Sequence, residues 1–120
     1  MSIIVVAGQT YDETLKMADF VTHIGHTTVC AHDGVEVLAK MHSVIPDAVL
    51  IDVATPVVNG FQICREIRAN PAFKKILIIL IEDTGKKTTK SYGLHQGADY
   101  TISKPIDKDV FVKFLKKVMK

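Results

Sequence analysis

Short unbroken apolar runs alternate with stretches in which apolar residues recur every third or fourth position, and the alternation repeats five times. Ile3-Ile4-Val5-Val6 is such a run, as expected of a strand buried on both faces. Thr10 then offers a helix cap, with Glu13 three residues on in capping-box spacing, and Met17, Phe20, Val21 and Ile24 form an apolar stripe that stops at Gly25. Thr27 to Cys30 reads as a second strand. Asp33-Gly34 punctuates, Val35, Leu38 and Ala39 give the next helical stripe, and Pro46-Asp47 breaks it. Ala48 to Ile51 is the third strand. The helix that follows starts at Gly60, carries Phe61, Ile63, Cys64 and Ile67, and stops at Asn70-Pro71. Ile76 to Ile81 is the plainest central strand. Residues 84–96 give a weakly patterned helix interrupted by Gly93. Tyr100 to Ser103 is a fifth strand, ending at Lys104-Pro105. A last helix begins at Asp107 or Asp109 with the stripe Phe111, Phe114, Leu115 and Val118.

Five βα units with no long linker predict an α/β fold with a parallel sheet covered by helices on both faces. Over residues 1–120 the chain reads as a single domain, long enough for one core. Its composition, 48% apolar and 23% charged, is that of an ordinary globular protein. No apolar stretch approaches a membrane span, and Met1-Ser2-Ile3 lacks the basic flank of a secretory signal, so a cytoplasmic protein without membrane contact is expected. Cys30 and Cys64 stand far apart and read as reduced thiols in apolar surroundings.

Charge is unevenly distributed. Residues 1–60 carry two basic and seven acidic side chains, net −5, whereas residues 61–120 carry thirteen and six, net +7. The excess lies in Lys86, Lys87, Lys90, Lys113, Lys116, Lys117 and Lys120. These lysines read as the solvated sides of two amphipathic helices, and nucleic-acid binding is not expected. The histidines show no zinc-ligand spacing, and no Walker, dinucleotide or nucleophile-elbow pattern occurs.

Candidate chemistry lies where strands end. In open parallel sheets, ligands bind outside the carboxyl ends of the strands. Three segments reach that rim: Ala7-Gly8-Gln9 after strand one, Asp52 after strand three and Lys104 after strand five. Asp52 is a lone carboxylate where an apolar strand stops, several residues before the next helix, so a helix-capping role explains it poorly.

The segment Leu50-Ile51-Asp52 with Pro56 and Gly60, the run Ile76 to Ile81, and Ser103-Lys104-Pro105 resemble the receiver domain of two-component response regulators, in order and at matching separations. The resemblance implies a doubly wound, flavodoxin-like five-stranded sheet in the order 2-1-3-4-5. It implies a signalling module and not an enzyme, with Asp52 as phosphoacceptor and a histidine kinase or phosphotransfer protein as donor. It implies a magnesium ion held by Asp52, by two acidic residues after strand one and by the Ala54 carbonyl. Lys104 would pair with the phosphoryl oxygens, and a hydroxyl after strand four and an aromatic in strand five would complete the switch. A protein partner is expected at the face formed by the fourth helix, fifth strand and fifth helix.

The sequence departs from this pattern at three places. Ala7 and Gly8 stand where the acidic pair should be, Glu82 where the hydroxyl should be, and Thr101 where the switch aromatic should be. Magnesium takes oxygen ligands, commonly one or two carboxylates with substrate oxygens, so weak or absent binding is expected. Glu82 is expected to pair with Lys104 or, less favourably, to give the metal a new ligand. Impaired phosphorylation is the leading expectation, and a phosphorylation-independent interaction module the alternative. An aspartyl phosphatase of the haloacid dehalogenase type fits poorly, because its second aspartate would fall on Ala54. A flavin carrier lacks its phosphate cradle.

Overall fold

A computed structural model of the chain describes residues 2–83 and 92–119. Five strands, β1 (Ile3–Ala7), β2 (Thr27–Cys30), β3 (Ala48–Asp52), β4 (Leu77–Glu82) and β5 (Tyr100–Ser103), form one sheet in the order β2-β1-β3-β4-β5. Every pairing is parallel. The helices are α1 (Tyr11–His23), α2 (Gly34–Val44), α3 (Gly60–Ala69) and a C-terminal helix (Lys108–Val118). A short 3₁₀ turn, Pro71–Phe73, follows α3, and residues 92–95 are helical. The expected helix over 84–96 otherwise lies outside the described residues, as do Lys86, Lys87 and Lys90.

The continuous apolar runs are buried on both faces because successive strand residues point to opposite sides. Val5, Ala7, Val49, Ile51, Ile78 and Leu80 pack on one side with Val37 and Met41 of α2 and Ile63, Cys64 and Ile67 of α3. Ile4, Val6, Ala48, Leu50, Ile79 and Ile81 pack on the other with Met17 and Val21 of α1 and with Phe111 and Leu115 of the C-terminal helix. Val35, assigned to the buried stripe of α2, is exposed; Val37 and Met41 fill that role.

Side-chain caps set the helix starts. Thr10, Asp33, Asn59 and Asp107 each accept a hydrogen bond from the backbone N–H three residues on. The last of these settles the start of the C-terminal helix at Asp107. The capping box of α1 is displaced by one residue: the Glu13 carboxylate accepts from Gln9 N–H at 3.1 Å. At α3, backbone is drawn against backbone. A Cβ on Gly60 would stand 2.7 Å from the Asp52 carbonyl oxygen, so only glycine lets α3 begin directly beneath the end of β3.

Candidate functional site

Alternation along the strands decides which side chains meet. Asp52 continues the series Ala48-Leu50 and therefore faces α1 and the C-terminal helix. By the same count Gly8 follows Val6 to this side, Asp83 follows Ile79 and Ile81, and Lys104 follows Ile102. Ala7 faces the other side, where it is buried with Val5 and Ile51. Glu82 follows Leu80 to that other side as well.

The contacts agree with this count. Asp52 is 2% exposed. Its Oδ1 accepts from the Ala54 N–H at 2.7 Å, and its Oδ2 lies 2.6 Å from Lys104 Nζ. The loop after β3 is tied down by the buried Thr55, whose hydroxyl donates to the Asp52 carbonyl at 2.6 Å. Three carboxylates converge on Lys104: besides Asp52, Glu13 approaches Nζ at 3.2 and 3.3 Å and Asp83 at 3.3 Å. Gln9 Oε1 adds a contact at 3.5 Å. Lys104 and the three carboxylates line a cleft of about 410 Å³ completed by Lys16, Met17, Pro105 and Ile106. Burial works to lower the pKa of the Lys104 amine, but Asp52 and then Glu13 outweigh it and hold the amine above its ordinary value.

Glu82 is not in this cleft. It is the last residue of β4, 2% exposed, and Ser103 in the paired position of β5 donates a hydrogen bond to it. The expected Glu82–Lys104 pair is therefore corrected: among the described residues, the acids that meet Lys104 are Asp52, Glu13 and Asp83. Asp83, the next residue in the chain, takes the place facing the ammonium because it has the right parity. Glu13 is the other residue missed, since its capping spacing explained it fully. The signal available was a carboxylate in the first turn after the strand whose end lacks one. Thr101 lies in β5 opposite Leu80, and the strand's aromatic, Tyr100, instead stacks edge-on with Phe114 at 5.3 Å.

The donor set does not fit magnesium as the resemblance implies it. Asp52 is the only carboxylate among the three implied side-chain ligands, and both of its oxygens are engaged by Ala54 N–H and Lys104. The missing acid at position 8 has no room, because a Cβ there would lie 2.9 Å from Thr14 N and 3.0 Å from Glu13 Cβ. Gly8 N–H instead donates to the Thr14 hydroxyl at 2.8 Å. Among the described residues, no three His, Cys, Asp or Glu side chains are grouped to hold a metal ion. The ammonium of Lys104 takes up the cationic place beside Asp52.

Comparison with known proteins places this geometry. The model of the response regulator receiver domain matches residues 6–116. Protein PilH of Pseudomonas aeruginosa is 28% identical over 119 residues, covering 99% of this chain and 98% of PilH. Response regulator PleD of Caulobacter vibrioides is 35% identical over 77 residues, which are 64% of this chain and 17% of PleD. The chain thus spans nearly all of one curated relative and a small part of another. The structure of chemotaxis response regulator CheY4 of Vibrio cholerae superposes with a TM-score of 0.92 at 24% identity over 99% of both chains, a likeness of fold. Receiver domains typically use magnesium for phosphorylation and interact with histidine kinases or phosphotransfer proteins. With the sheet order, the strand-end site and the family match in agreement, this chain belongs to the response regulator receiver domain family.

Proposed function

We propose that the chain is a receiver whose Asp52 accepts a phosphoryl group from a histidine kinase or phosphotransfer protein, slowly and with little assistance from magnesium. It acts as a cytoplasmic signalling module without an enzymatic activity of its own. The observation that supports this reading is the 2.6 Å pairing of the buried Asp52 with Lys104 where β1 supplies only Ala7 and Gly8. Phosphoryl transfer depends on positioning and on neutralising charge. In the step itself, an Asp52 carboxylate oxygen attacks phosphorus, a new P–O bond forms, and the donor's bond to phosphorus breaks, its electron pair leaving with the donor. Lys104 is the cation that offsets the added charge.

The second reading is a receiver that signals without phosphate, through a face including β5 and the C-terminal helix. It is favoured by the same ion pair, since the ammonium already fills the cationic place that phosphorylation chemistry assigns to a metal. Incubation with acetyl phosphate, with and without magnesium chloride, followed by intact mass measurement, separates the two. One phosphoryl adduct that disappears in Asp52→Asn supports the first reading; its absence under both conditions supports the second.

A further inference from the structure

Lys104 is held more tightly than an ion pair with Asp52 requires. An ammonium has three N–H donors. Here it faces five oxygens within 3.5 Å: Asp52 Oδ2, both oxygens of Glu13, Asp83 Oδ1 and Gln9 Oε1. Five oxygens already compete for these three donors before any anion arrives. Glu13 supplies two of the five contacts and is itself fixed from behind by Gln9 N–H at 3.1 Å. The first turn of α1 is fixed in turn by the bond from Gly8 N–H to the buried Thr14 hydroxyl.

We propose that Glu13 is a gate on the Asp52 site: it holds the Lys104 ammonium and withholds it from an incoming phosphoryl group. This rests on Asp52 as the phosphoacceptor but adds a residue and a regulation that the family pattern does not supply. The cleft already carries three carboxylates against Lys104, with Lys16 at its rim. An arriving phosphoryl group meets Glu13 as a like charge and must also compete with it for the same donors. Release of Glu13 removes both obstacles together. Asp83 is the weaker competitor, since its side chain is 60% exposed and solvent screens it.

Glu13→Gln tests the gate. Glutamine keeps a carbonyl oxygen for Gln9 N–H, so α1 starts as before, but removes the negative charge that faces Lys104. With acetyl phosphate as donor and no added magnesium, Glu13→Gln is expected to gain the phosphoryl adduct at least about tenfold faster than the unaltered chain, given the strength of a unit charge at this range. Glu13→Gln/Asp52→Asn is expected to gain none. Comparable labelling of the unaltered chain and Glu13→Gln overturns the gate and leaves the phosphoacceptor reading standing. If neither chain labels, the phosphoacceptor reading falls, and the ¹⁵N resonance of Lys104 Nζ decides the hold by Glu13. A resonance that moves in Glu13→Gln upholds that hold; an unmoved one overturns it.

Discussion

The Asp52–Lys104 pair makes unequal demands on its two members. Asp52 is buried and keeps one backbone donor, whereas Lys104 retains some access to water. Lys104→Met leaves a buried carboxylate beside Glu13 and Asp83 without the ammonium that pairs with all three. It should destabilise the fold by about 2 kcal/mol, below the range for wholly buried pairs because water still reaches the cleft. Asp52→Asn keeps an acceptor for Ala54 N–H and removes one of three like charges, so its cost should stay under about 1 kcal/mol. Urea unfolding of the two variants measures both. The amine's raised pKa fixes the sign of the pH dependence. The Lys104 contribution is fully present below the unfolded lysine value of 10.5 and is lost as pH rises through the higher folded value. The stability gap between the unaltered chain and Lys104→Met should therefore be flat from about pH 6 to 9 and shrink only in strong alkali. Val57 offers the opposite opportunity. Its φ is 71°, and it is 78% exposed. A β-branched side chain is costly in that conformation and here gains little from packing, so Val57→Asn should stabilise by about 1 kcal/mol in the same assay.

Among the elements, α3 is tied to the segments that lead into β4 and β5, chiefly through Arg68. Arg68 donates to the carbonyls of Gly97 and Ile76, each at 2.8 Å, and pairs with Asp99 at 2.6 Å. Asp99 in turn accepts from Ile78 N–H at 2.8 Å. The planar fork of arginine serves several acceptors from one position, which the single point charge of lysine cannot do. Arg68→Ala should cost roughly 2 kcal/mol, and Arg68→Lys should recover less than half of it, as read from thermal unfolding. Nothing in the helical stripe of α3 announces this role, because Arg68 lies on the polar side of the pattern and two of its partners, Gly97 and Asp99, stand 29 and 31 residues away in the chain. The helices and strands themselves were legible. Continuous apolar runs gave β1, β3 and β4, a capping residue gave the start of α1, and glycine punctuation gave the starts of α2 and α3. Val35 was misassigned because one apolar residue at the right spacing cannot be told from its neighbours until the sheet selects a face.

The whole molecule is two apolar layers separated by one sheet, and Cys64 reports on the layer beneath α2 and α3. Burial pushes its thiol up to about 12, with nearby charges as smaller influences of both signs. At pH 8 in the folded protein this thiol is protonated and shielded, so it should react with a thiol reagent only as fast as the fold opens. Labelling rates that follow global stability across the Lys104→Met and Val57→Asn variants would bear this out; rapid labelling of the native chain would show that this layer opens locally. Cys30 is partly exposed and its thiol is also raised, by burial first and then by Asp19 and Glu36. The charge asymmetry follows the order of strands in the sheet. The acidic first half of the chain builds the β2–β1–β3 part of the sheet, and the basic second half builds β4, β5 and the C-terminal helix.

Apolar periodicity and capping chemistry along the chain determined the fold class, the strand order through the family resemblance, and the meeting of Asp52 with Lys104 at one rim. These are properties of local pattern and of the order in which parallel strands end. Tertiary structure alone decided which acids surround the amine. Glu82 and Asp83 are adjacent in sequence, yet the pleat sends one to each face of the sheet, and the first turn of α1 closes over Gly8 to bring Glu13 where β1 has no carboxylate. Side-chain direction and the approach of one element to another are set by packing in three dimensions, and a linear pattern carries them only after the faces have been assigned.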